Sequence, residues 1–176
     1  MRFALCNEVI RDLEFSAQCD FAQKAGYEGL ELAPFTLGEN PHLMSTAERQ
    51  SLRRAASDTG IEITSLHWLL VAPKGLSITT ADPAVRKQTI EVMRRLVGLC
   101  TDLGGTTLVH GSPQQRNVGQ NDDRQEASKR ACECFAAAAT EAQSAGVVYC
   151  IEPLSTRDTN FINSVAEAAE CLKSID

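Results

Sequence analysis

The sequence predicts an α/β fold, a parallel (β/α) barrel of the TIM type that runs through its first five βα units. Helical patterns alternate with short branched strands five times, and a glycine separates each of the first four helices from the strand that follows it. No hairpin turn signal joins any two strands, which favours parallel crossovers. The strands are nearly all apolar, as expected for a parallel sheet that is covered on both faces.

The predicted elements follow one another in order along the chain. The strands cover Phe3 to Cys6, Gly29 to Leu32, Ile61 to Leu66, Thr106 to Val109 and Val147 to Ile151. The helices begin near Glu14, Ser45, Asp82, Asp122 and Ser164. Ser45 and Glu48 form a capping box, and Pro83 after Asp82 is a proline at a first helical position. Four of the helices end at a glycine, the residue that most readily adopts the left-handed conformation of a helix end: Gly26, Gly60, Gly104 and Gly146.

An open doubly wound sheet is the competing architecture, and the turn after the first strand argues against it. A doubly wound dinucleotide-binding fold should show a glycine-rich turn there, whereas residues 7–10 read Asn-Glu-Val-Ile, and the sequence contains no P-loop. The barrel is favoured because polar residues stand at all five strand ends, where the active sites of such barrels lie. These strand-end residues are Asn7, Glu31, His67, His110 and Glu152. We expect the curvature of a barrel to bring Glu152 and the imidazoles of His67 and His110 together at a single rim.

The length of the chain sets a further expectation. A full barrel needs about 250 residues, and this chain has 176. We therefore expect a single domain over residues 1–176 that lacks strands six to eight and leaves two edge strands unpaired, which creates a risk of self-association.

Composition excludes several functions. The net charge of −6 and pI near 5.1 disfavour nucleic-acid binding. No apolar stretch approaches the ~20 residues of a membrane span, and the N-terminus does not resemble a signal peptide. The seven cysteines are scattered through helix and strand patterns, which indicates reduced packing residues and a cytoplasmic location.

Glu152 is the leading catalytic candidate. It ends a buried strand and precedes Pro153, so its carboxylate could bind a hard divalent cation, move a proton, or do both. His67 could bind metal or a substrate hydroxyl, with Trp68 as an apolar wall beside it. Glu31 could equally be an acid that hydrogen-bonds another residue of the site or a structural partner for a nearby arginine, so it supports no claim.

The segment after the fourth strand supplies further substrate-binding candidates. His110 precedes a turn whose amides and Ser112 hydroxyl could meet an oxyanion. Arg116 could bind a phosphate or carboxylate through two hydrogen bonds. Each of these residues could equally serve the fold, as a buried histidine or a solvated arginine.

Several segments together resemble the sugar phosphate isomerase/epimerase family, the xylose isomerase-like TIM barrels that include ketose 3-epimerases and, more distantly, apurinic endonucleases. The segments are residues 28–35, 66–70, 111–116, 151–154 and 159–163. The resemblance implies a divalent metal (Mn, Mg, Co or Zn) bound by Glu152, which would also be one of two acid/base carboxylates. The other ligands would come from strands six to eight. His67 and His110 match histidines that bind zinc in the endonuclease branch and more often line the substrate pocket in the epimerase branch.

The resemblance therefore implies a metal-dependent isomerase or epimerase for a sugar or polyol-like substrate, inactive as this chain alone. Two alternatives stay open. One is a metal-dependent phosphodiester hydrolase of the endonuclease type, which the acidic charge and the small number of histidines oppose. The other is a non-catalytic barrel segment that acts in oligomerisation through its open sheet edges.

Overall fold

The computed structural model describes residues 1–175 and contains one parallel sheet of five strands flanked by helices. The strands are β1 (Ala4–Cys6), β2 (Gly29–Leu32), β3 (Glu62–His67), β4 (Thr107–His110) and β5 (Val148–Ile151). The helices are α1 (Phe15–Lys24), α2 (Thr46–Asp58), α3 (Pro83–Leu103), α4 (Arg124–Ala145) and α5 (Val165–Lys173). Short 3-10 turns follow three of the strands, at Asn7–Ile10, Pro34–Leu37, Pro41–Leu43 and Gln114–Arg116.

The strand order confirms the predicted fold class. Each strand pairs in parallel with its neighbours in sequence, in the order β1-β2-β3-β4-β5. A doubly wound sheet reverses its order at a switch point, and no such reversal occurs among residues 1–175. Successive right-handed crossovers place all the helices on one face of the sheet, as in a barrel wall, with β1 and β5 at its edges.

The helix boundaries lie close to the predicted ones because local hydrogen bonds fix them. The Ser45 hydroxyl accepts from the backbone N–H of Glu48, whose carboxylate accepts from the Ser45 N–H, so the capping box is formed. Asp82 accepts from two backbone amides at the start of α3. Gly104 and Gly146 adopt left-handed conformations with φ of 90° and 70° and end α3 and α4.

The hydrophobic core lies between the sheet and its helices. Alternate strand residues such as Leu66 and Leu108 are fully buried against α3 and α4, which contribute Met93, Leu96 and Phe135. The intervening strand residues point to the opposite face of the sheet, which is the inner face of the barrel. In the part of the chain described here, no helix combines the length and apolarity needed to cross a membrane.

Candidate active site at the carboxyl ends of the strands

Three side chains from different strands meet at the carboxyl-terminal rim of the sheet. The His67 imidazole lies between two carboxylates, with Nδ1 3.5 Å from Glu31 Oε2 and Nε2 3.4 Å from Glu152 Oε2. All three side chains are partly exposed, so the group is accessible from the barrel interior. The expected convergence of Glu152 with a strand-end imidazole is therefore present for His67.

Pairing between β2 and β3 brings Glu31 to this group. The register of the two strands shifts at Leu30 and Glu31, which sets Glu31 opposite Ser65. The Ser65 hydroxyl donates a 2.9 Å hydrogen bond to Glu31 Oε1, and this leaves Oε2 directed at His67. A hydrogen-bonded carboxylate beside an imidazole fixes the ring orientation and favours a proton on the facing nitrogen.

Cys6, the last residue of β1, lies next to His67 and Glu31. Its Sγ lies 4.0 Å from His67 Nδ1, and ligand atoms of Cys6, Glu31 and His67 all lie within 4.8 Å of one another. Burial raises the pKa of the Cys6 thiol above its ordinary value. Thiol, carboxylate and imidazole at this spacing form a set that could hold a metal ion.

Gly111 makes the space that Glu152 occupies. A Cβ at position 111 would collide with the Glu152 carboxylate and would lie 3.0 Å from His67 Nε2. Only a residue without a side chain lets the carboxylate pack over the end of β4. Glu152 Oε2 is buried at this point and has no hydrogen-bond partner among residues 1–175.

The donors at the rim fit a divalent cation. No described residue donates a hydrogen bond to the buried Glu152 Oε2, and a cation would supply the positive partner that a buried carboxylate oxygen requires. Carboxylate oxygen suits Mg or Mn, and imidazole nitrogen suits Zn or Co as well. Glu152 and His67 would hold the ion directly, and Glu31 could join them or act through the imidazole.

Trp68 and Phe35 form an aromatic wall next to the group. Their ring centroids are 6.4 Å apart, and the Trp68 ring meets the His67 ring edge-on at 6.0 Å. Trp68 has a φ of 56°, a left-handed conformation that is uncommon for a bulky residue and that turns the chain sharply after β3. Its place agrees with the expected apolar wall, and its contact with substrate stays a prediction.

His110 is not part of this group. Its ring is fully buried on the helix side of the sheet, 4.9 Å from the Phe135 ring of α4, with Nδ1 2.9 Å from the Tyr149 hydroxyl. Burial holds the pKa of His110 well below its ordinary value, so the ring is neutral. The expectation that both imidazoles share one rim is wrong for His110, because successive residues at a strand end face opposite sides of the sheet.

Arg116 and Ser112 also lie away from the expected pocket. The Arg116 guanidinium is fully buried and donates to the backbone carbonyls of Ser112 at 3.3 Å, Glu152 at 2.7 Å and His110. Burial lowers its pKa to about 10. The buried Ser112 hydroxyl accepts from the Leu70 N–H at 2.9 Å. The expected reach of Arg116 toward a substrate anion is not seen, since its donors hold the ends of β4 and β5 together.

Sequence reasoning missed Glu31, Cys6 and Gly111. Glu31 was placed at a strand end, but its position next to His67 depends on a shift in strand register that the sequence does not reveal. The expected strand-end residue of β1, Asn7, is instead fully buried and accepts from the Ala33 N–H at 2.8 Å, so it ties two loops together. Cys6, one residue earlier, has the side-chain direction that reaches the rim.

A consecutive parallel sheet with a carboxylate and imidazole cluster at its carboxyl rim defines a β/α-barrel protein with a candidate polar active site. The chain belongs to the Xylose isomerase-like TIM barrel family, whose pattern matches residues 19–176. The predicted family resemblance and fold class are thus confirmed.

Individual relatives are sugar epimerases by name. The chain is 27% identical over 159 residues to the "Putative L-ribulose-5-phosphate 3-epimerase SgbU" of Escherichia coli, which covers 89% of this chain and 53% of that protein. It is 24% identical over 156 residues to the "Probable ketose 3-epimerase" of Synechocystis, covering 88% and 51%. The chain therefore spans about half the length of the curated relatives it matches.

A solved structure of a D-psicose 3-epimerase in the presence of D-fructose has the same fold. The TM-score is 0.81 at 20% identity, over 99% of this chain and 60% of that chain. At this identity the likeness establishes the fold, and the roles of individual residues rest on the geometry above.

Proposed function

We propose that this chain carries the metal-binding carboxylate and its supporting imidazole in a divalent-metal-dependent sugar 3-epimerase. The observation that supports this most is the buried Glu152 Oε2, which lies 3.4 Å from His67 Nε2 at the open rim and lacks a hydrogen-bond partner in the part of the chain that the structure describes. A carboxylate so placed can bind a cation and move a proton next to a carbonyl. The names of the curated relatives supply the substrate class, a ketose or ketose phosphate.

Each residue of the group has a proposed task. A bound cation would acidify the α-proton of a hydroxy-ketone that it chelates. Glu152 takes that proton as the base on one face of the substrate. His67 Nε2 would hold the same cation beside Glu152, and Glu31 keeps the imidazole in the orientation that permits this, with the ring proton on Nδ1. Trp68 and Phe35 exclude water from one side.

The proposed reaction uses two carboxylates, one on each face of the substrate carbon. Glu152 is one of them, and the other is expected from a later strand of the family fold. The 176-residue chain alone should therefore show no turnover. Because Arg116 is committed to backbone carbonyls, a phosphate group would not be bound by this arginine, and unphosphorylated ketoses are the first substrates to test.

A fusion protein tests this proposal. Residues 1–176 would be joined to the remaining barrel units of the Synechocystis ketose 3-epimerase, and 3-epimerisation of D-fructose and D-ribulose measured with MnCl2. We expect turnover that Glu152→Gln lowers by a factor of about 10² to 10⁴, as for the loss of a general base. Glu62→Gln, at the opposite end of β3, is the matched control and should keep the activity.

Two results would contradict the proposal. One is full activity of the Glu152→Gln fusion, with circular dichroism showing that both variants fold alike. The other is turnover by the 176-residue chain alone at the rate of the fusion, since this would mean that a single strand-end carboxylate suffices.

The hydrolase alternative is weakened because His67, His110 and Glu152 do not come together as a zinc site. His110 is buried against α4 instead.

A specific observation favours self-association of this chain as a second property. The edge strands and the segments beside them expose large apolar side chains, with Phe3 54% and Val148 59% accessible. Unpaired strand edges of this kind can pair with another copy.

A further inference from the structure

Two cysteines on neighbouring helices lie in direct contact where α4 packs against α5. Cys132 of α4 and Cys171 of α5 have sulfur atoms 2.7 Å apart, about 0.7 Å more than a disulfide bond length. Both are free thiols. They are 39 positions apart in sequence, so a bond between them would close a large loop.

The pair is open to small reagents from one side. A groove of about 900 Å³ runs between α4 and α5, and both cysteines line it. Cys132 is half-buried, whereas Cys171 is almost fully buried. A reagent in the groove would therefore meet Cys132 first. Cys134 points elsewhere, since its sulfur lies 3.8 Å from the carbonyl oxygen of Ile78.

We propose that Cys132 and Cys171 form a redox modification site, a dithiol that a glutathione-type disulfide converts into an intramolecular disulfide between α4 and α5. This inference is independent of the proposed catalytic function. It also revises the expectation that the cysteines are only packing residues.

The chemistry proceeds by two exchanges. The Cys132 thiolate attacks one sulfur of oxidised glutathione and releases one glutathione thiolate, which leaves a mixed disulfide on Cys132. Cys171 then loses its proton and attacks the Cys132 sulfur, which expels the second glutathione. The two protein thiols give up two electrons and two protons, and the oxidant becomes two molecules of reduced glutathione.

Direct contact with the Cys132 sulfur, and not the acidity of its thiol, places Cys171 for the second step. Burial and the neighbouring Cys132 raise the pKa of its thiol above the ordinary value, so it stays protonated and unreactive toward reagents in solution. It can act once a mixed disulfide forms in contact with it. The arrangement thus assigns Cys132 as the attacked thiol and Cys171 as the resolving thiol.

The disulfide would fasten the segment that leads from the candidate site. The loop after Glu152 folds back through a 3.1 Å hydrogen bond from the Leu154 N–H to the Ile162 carbonyl, and the Asn163 amide donates to the Leu154 carbonyl. This loop continues into α5. Tying α5 to α4 should restrict the opening of the whole segment.

The experiment uses the 176-residue protein incubated with oxidised glutathione and then alkylated and digested. We expect a peptide pair joined through Cys132 and Cys171, and a melting temperature higher by roughly 8 to 15 °C that dithiothreitol reverses. Cys132→Ser and Cys171→Ala should abolish both changes. Cys134→Ala is the control on the same helix and should retain both.

The result on the unsubstituted protein decides the proposal even if a variant fails to fold. A stable glutathione adduct on Cys132 with no link to Cys171 would overturn it. Linkage to a different cysteine, or unchanged free thiols under conditions that oxidise a model dithiol peptide, would also overturn it.

Discussion

Replacing Arg116 with methionine should destabilise the fold, because this side chain joins the ends of β4 and β5 from a fully buried position. The substitution removes three hydrogen bonds from a charged donor to backbone carbonyls, each of which contributes about 1.5 to 3 kcal/mol. The His110 carbonyl keeps a partner in the Glu152 N–H at 3.3 Å, and burying methionine in place of a cation offsets part of the loss. We expect a net loss of about 3 kcal/mol.

Urea unfolding followed by circular dichroism measures this loss as a lower midpoint with an unchanged slope. The melting temperature should fall by roughly 6 to 12 °C. Arg95→Met is the matched control, since Arg95 is half exposed and pairs with Glu91 one helical turn away, and it should cost less than about 0.5 kcal/mol. A loss below about 1 kcal/mol for Arg116→Met would refute the view that this guanidinium braces the strand ends.

Three further changes test the site, the buried histidine and the sheet edge. Gly111→Ala should weaken Mn²⁺ binding about tenfold or more in calorimetric titration by displacing the Glu152 carboxylate, and unchanged affinity would contradict this. Buried His110 stays neutral while the unfolded chain binds a proton near pH 6.5, so stability falls as pH drops below that value. His110→Gln should therefore lose about 2 kcal/mol less than the parent between pH 7 and pH 5 in urea unfolding, and equal losses would argue against a buried neutral ring. Val148→Lys should reduce any concentration-dependent association seen by sedimentation velocity, and association unaffected by this charge would exclude the β5 edge as the contact.

Much of the fold could be predicted because short-range chemistry determines it. The capping box at Ser45 and the left-handed glycines 104 and 146 mark helix ends that depend only on neighbouring residues. The consecutive strand order follows from right-handed crossovers between strands that lack hairpin turns. These signals are local in sequence, so they can be recognised without knowledge of tertiary contacts.

The site could be predicted only in part. In a strand that is apolar on both faces, the sequence does not indicate which face a strand-end residue occupies. Residues 107–110 read Thr-Leu-Val-His, so alternation places His110 on the same face as Leu108, but the run does not reveal which of its two faces packs against the helices. The role of Arg116 is equally hidden, since a loop arginine is usually solvated and its carbonyl partners come from segments up to 36 positions away. The contact between Cys132 and Cys171 likewise depends on how α5 packs against α4.

Calorimetric titration with MnCl2 of the 176-residue chain and of its Glu152→Gln and Glu62→Gln variants tests whether the strand ends form a cation site. We expect one Mn²⁺ bound per chain, an affinity at least tenfold weaker for Glu152→Gln, and an unchanged affinity for Glu62→Gln at the other end of the sheet. Equal binding by the parent and Glu152→Gln, or no binding by the parent, would contradict it.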